Sequence, residues 1–165
     1  MRHKPIPAPP DDLAAVDAAR RAIPLVPVSA EDCAARLLAR TGDRLGLRSH
    51  EAAGEWLAFL RALGLVERTD GRLRRPRDGP GRDELAAAFR ERVYGARELL
   101  DALDAADGPL DADAAFERLR EPVPAWERHR RPDPEAHWRE RTRRLCGWAT
   151  LLGLAERVDG GYRPR

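Results

Sequence analysis

Lysine is nearly missing from this 165-residue chain: of 30 basic residues only Lys4 is a lysine. Alanine is abundant, and the pair reads as the mark of a GC-rich genome rather than of selection for arginine chemistry. Cysteine is also scarce. Cys33 and Cys146 lie far apart with no CxxC pair, which excludes a disulfide framework and a structural zinc site. No apolar run approaches the roughly 18 residues that a spanning helix needs, and MRHKPIPAPPDD lacks the apolar stretch of a signal peptide. A soluble cytoplasmic protein with no membrane partner is the expectation. With 42% hydrophobic and 35% charged residues the chain can build a core, so wholesale disorder is excluded.

What is present is an imperfect repeat. Residues 63–72 read LGLVERTDGR and residues 152–161 read LGLAERVDGG, with seven of ten positions identical at an offset of 89. Trp56, Phe59, Leu60 and Leu63 face Leu145, Trp148, Ala149 and Leu152 at helical spacing, and Asp32 and Leu38 echo Asp113 and Leu119. Two copies at so long a period argue for two related domains and not for a solenoid.

Each copy can be read from its periodicity. In residues 49–63, Ala53, Trp56, Leu57, Leu60 and Leu63 make one helical stripe, with Ser49 as N-cap and Gly64 as the left-handed stop. Residues 65–68 and 72–75 then flank an Asp-Gly turn, a hairpin signal. Upstream, residues 12–23 and 29–40 read as helices around a short extended segment at 25–28. The second copy repeats the order: a long helix over 83–106, an extended link at Leu110, helices over 111–120 and 135–152, and strands at 154–158 and 162–164 flanking Asp159-Gly160. The domains are expected at 11–78 and 82–165, joined through PRDGPGRD, with residues 1–10 as a flexible tail or an arm for the minor groove.

This order resembles the winged helix-turn-helix family, and FLRALGLVERTDGRLR and WATLLGLAERVDGGY look like its closing helix and wing. The resemblance covers nearly the whole chain, twice. It implies a mostly α fold with small β-wings, built as two winged-helix domains in tandem. Family members commonly bind DNA with the third helix in the major groove and the wing on the backbone. Other tandem winged-helix proteins are interaction modules, such as kleisin-associated partners of chromosome-organising complexes and subunits of membrane-remodelling assemblies. Residues 121–134, EPVPAWERHRRPDP, lengthen the turn of the second copy beyond a tight helix-turn-helix.

Charge is nearly balanced at +2 but polarised: residues 64–82 carry +3, 83–117 carry −7 and 118–144 carry +4. Local fields govern association with a polyanion. On the second third helix, Arg139, Arg143 and Arg144 lie away from the apolar stripe, and Arg130 and Arg131 precede it. Guanidinium groups there suit phosphate or guanine recognition, against the plainer reading of a solvated face with Glu135 and Glu140 pairing four residues on. The wings add Arg68, Arg72, Arg74 and Arg75 in the first copy and Arg157 and Arg163 in the second. The first third helix starts with His50, Glu51 and Glu55, whose carboxylates repel phosphate. Trp126 reads as a core anchor of its arginine-rich loop, with partner contact as the alternative.

No nucleophile, base and orienting residue can be grouped, no histidine spacing suits a metal, and Gly79-Pro80-Gly81 lacks the lysine of a phosphate loop. The expectation is a non-enzyme without cofactor. Its partner is double-stranded DNA, contacted by the second third helix and both wings of a regulator or a nucleoid-associated protein. The alternative is a scaffold that binds another protein or a second copy of itself, for which the −7 stretch and the long alanine- and leucine-rich helix speak.

Overall fold

The computed structural model describes residues 5–119 and 134–165. Helix α1 (Leu13–Ala22), α2 (Ala30–Leu45) and α3 (His50–Ala62) lead into the hairpin β1 (Glu67–Thr69) and β2 (Arg72–Arg74). Helices α4 (Arg82–Arg92), α5 (Ala96–Ala105), α6 (Ala112–Leu119) and α7 (Pro134–Leu151) then lead into β3 (Ala155–Val158) and β4 (Gly161–Pro164). The first half therefore has the expected order of three helices and a two-stranded wing, and the second half places four helices before its wing.

Local chemistry explains the boundaries. Asp12, Ser29 and Ser49 each accept a hydrogen bond from the backbone N–H three residues on, at 3.0, 3.1 and 3.1 Å, satisfying a donor that the first helical turn leaves open. Both wing turns place Asp and Gly at positive φ, Asp70 at 51° with Gly71 at 78° and Asp159 at 50° with Gly160 at 78°. That is the mirror-image turn whose twist matches an antiparallel pair. Each wing gains a third edge from one isolated bridge, Val28 to Leu73 in the first half and Leu110 to Tyr162 in the second. The expected extended segments at 25–28 and Leu110 thus act as single rungs, not as strands.

The long helix expected over 83–106 is two helices. Val93 ends α4 in an extended conformation, and Gly95 at φ 90° starts α5. The apolar stripe Leu85–Phe89–Ala96–Leu100–Leu103 crosses the break because both helices face one core, so its periodicity hid the bend. Gly95 also lies against α7: a Cβ there would be 3.1 Å from Leu145 Cδ1. Gly95→Ala is expected to cost about 1–3 kcal/mol, since it adds backbone strain to a crowded site. Gly54→Ala, in the middle of α3 with open space around it, is expected to add about 0.5–1 kcal/mol. Thermal denaturation of the two variants checks both signs.

The core is continuous across the halves. Trp148, fully buried on α7, meets Phe59 of α3 with ring centroids 4.6 Å apart and Trp56 at 5.7 Å with planes at 62°. Phe59 and Trp148 occupy equivalent positions of the repeat. Contact between equivalent positions is the pattern of an isologous, two-fold-like interface, so the halves face one another through the C-terminal parts of their third helices.

Residues 5–10 differ from the expected free tail. Ile6 is buried in the shared core, the Trp148 indole N–H donates to the Pro7 carbonyl at 2.8 Å, and Arg144 donates to the Ile6 carbonyl at 2.9 Å. Fixing the segment satisfies a buried indole donor, which is why it does not hang in solvent.

Candidate nucleic-acid interface

The wings carry two kinds of arginine. Arg74 and Arg163 sit opposite Glu67 and Glu156 in register and form an ion pair with them across each hairpin. The repeat makes these pairs equivalent, and they neutralise the inner part of each wing. Arg68 and Arg157 are the next equivalent pair, both exposed on the outgoing strand. Arg68 and the exposed Arg72 form no ion pair among the described residues, and Arg157 lies over the Tyr162 ring at 5.8 Å. Arg75 is half-buried at the base of the first wing, where its backbone N–H donates to the Pro24 carbonyl at 2.8 Å and its Nε is buried. It joins the base of the wing to the end of α1 and is less exposed than Arg68 and Arg72.

On α7 the three expected contact residues diverge. Arg139 turns onto α6, 3.1 Å from Asp113 and 3.7 Å from Glu117, with its guanidinium 4.6 Å from the Phe116 ring centre. Arg144 pairs with Glu140 at 3.3 Å and holds the Ile6 carbonyl. Arg143 shares Glu140 at 3.3 Å and is the exposed member of the set. Arg130, Arg131 and Trp126 lie outside the described residues. The α7 arginines therefore do not form one patch: one packs against α6, one holds the N-terminal segment and one faces solvent.

A family model described as the halobacterial double winged helix domain matches residues 1–165. The chain belongs to this family. Comparison with curated proteins and with solved structures returns no match. In this double winged helix, no helix among the described residues is long and apolar enough to cross a membrane, and no three His, Cys, Asp or Glu side chains among them converge on a metal position. Both thiols are buried, and burial pushes Cys146 up to about 12 and Cys33 in the same direction.

Two features of the double winged helix escaped the sequence. Arg141 is buried on α7, donating to the Tyr94 carbonyl with its guanidinium within 5.6 and 5.8 Å of the Tyr94 and Trp138 ring centres. It ties the α4–α5 bend to the third helix. The second is the seat for the N-terminal segment, signalled only by a glycine at 147 inside a helix.

Proposed function

We propose that this double winged-helix protein binds double-stranded DNA, as a transcriptional regulator or an architectural protein of the nucleoid in the cytoplasm, with no catalytic step and no cofactor. The observation that carries the reading is the equivalent placement of Arg68 and Arg157 on the two wings, joined by Arg72. These exposed guanidiniums suit phosphates, and the carboxylates beside them are already paired with Arg74 and Arg163. Arg143 supplies a further contact from α7. Arg139 and Arg144 have partners of their own, so the wings, more than the third helix, dominate the affinity.

Fluorescence anisotropy with random and genomic duplexes over a salt series tests this. The logarithm of affinity is expected to fall linearly with the logarithm of salt, by about 0.9 per phosphate neutralised, and Arg143→Ala to reduce that slope by about 1. Preference for particular fragments identifies a regulator, and equal binding an architectural role. No binding at low salt overturns the proposal.

A second reading is an interaction module, favoured by the exposed Glu51 and Glu55 on α3 and by the burial of Trp56, Phe59 and Trp148 between the third helices. Those rings and carboxylates leave α3 a poor groove reader. A defined oligomer in light scattering, combined with absent DNA binding, selects this reading.

A further inference from the structure

The segment Pro5–Pro10 precedes α1 yet crosses to the second half and lies on α7. Three contacts place it there. Ile6 is buried, its carbonyl accepts from Arg144 at 2.9 Å, and the Pro7 carbonyl accepts the Trp148 indole N–H at 2.8 Å. The fourth observation is a missing side chain. A Cβ on Gly147 would lie 2.6 Å from Pro9 Cγ and 3.4 Å from Pro9 Cβ. No residue but glycine leaves room for the proline ring, and a proline ring cannot swing aside as a long side chain would.

The seat is the edge of α7 between its solvent side, which carries Arg143, and the core, where Trp148 is fully buried. Arg144, Gly147 and Trp148 span one turn of α7, and the segment covers them. Arg144 is shared between Glu140 and the Ile6 carbonyl, so the segment takes up a donor of a charge suited to phosphate for as long as it stays. We infer that residues 5–10 form an autoinhibitory strap: the part of α7 around Arg144 and Gly147 reaches DNA only when the strap lifts from Gly147. This rests on the DNA-binding reading above and deepens it, because it separates a strapped protein that uses its wings and Arg143 from a released one that also uses Arg144 and the helix surface at Gly147. The apparent affinity is then the released-state affinity scaled by the released fraction.

The strap can be locked in place. The Cβ separation of 3.4 Å between positions 9 and 147 is close to the about 3.5–4.5 Å that a disulfide spans. Cys33 and Cys146 are buried thiols raised by desolvation, so the new pair oxidises first. In the full chain carrying Pro9→Cys and Gly147→Cys, the oxidised form is expected to bind a genomic duplex about tenfold or more weakly than the reduced form, with dithiothreitol restoring it. Gly147→Ala, which pushes Pro9 off without a crosslink, is expected to bind more tightly than the wild type. Equal affinity of the locked and reduced forms, with Gly147→Ala unchanged, overturns the strap while leaving DNA binding intact. Absence of binding by every form at low salt removes the DNA reading and the strap with it.

Discussion

Trp148→Ala is expected to lower the stability of the whole chain by about 3–5 kcal/mol, the range for truncating a large buried aromatic. The residue is fully buried and touches two separate parts of the molecule: Phe59 and Trp56 of α3 in the first half, and Pro7 of the N-terminal segment. Truncation leaves a cavity between the halves that neither can fill alone, because each is held by its own helices. It also removes the partner of the Pro7 carbonyl. Trp148→Phe keeps the ring contacts and loses the indole N–H, so it should cost less, with about 1 kcal/mol of its cost from the lost hydrogen bond. Urea denaturation followed by circular dichroism checks both. A loss under about 1 kcal/mol for Trp148→Ala would mean that the two halves do not depend on a shared core.

The triple variant Arg68→Ala, Arg72→Ala and Arg157→Ala is expected to flatten the salt dependence of DNA binding by about 2.7 and to weaken affinity on the order of a hundredfold at 0.1 M salt, if each guanidinium neutralises one phosphate. The three are exposed on the wings, so their removal should leave the denaturation midpoint nearly unchanged. Glu67→Gln with Glu156→Gln is the complementary experiment. It frees Arg74 and Arg163 from their cross-strand partners and should steepen the salt dependence. A triple variant that binds as the wild type does would remove the wings from the interface.

Much of the architecture was legible because it rests on local chemistry. Ser49 and Gly64 bracket α3, and Asp70-Gly71 and Asp159-Gly160 can close a tight hairpin with few alternatives. The seven matching positions at 63–72 and 152–161 carried the tandem arrangement, since the wing and the end of the third helix obey the same rules in both copies. The bend at Val93–Gly95 was not legible. Apolar spacing reports which side faces the core, and two consecutive helices facing one core keep the same spacing across a break.

The candidate interface was legible only as a set of arginines. Sequence distance pointed Arg139, Arg143 and Arg144 to one face, because neighbours on a helix lie near one another. Their fates depend on what other segments bring: Asp113 and Glu117 of α6 draw Arg139 aside, and the Ile6 carbonyl holds Arg144. Glu67 and Glu156, by contrast, are close enough in sequence for their pairing with Arg74 and Arg163 to follow from the hairpin register.

By itself, the sequence determined the double winged-helix repeat, the helix caps, the wing turns and the inward faces, because these depend on residues within a few positions of one another. Tertiary structure alone decided that Phe59 meets Trp148, that the N-terminal segment lies on Gly147 and which arginines remain exposed. Those contacts join residues 89 and 138 positions apart in the chain, and no periodicity records a pairing between segments that meet only after each has folded.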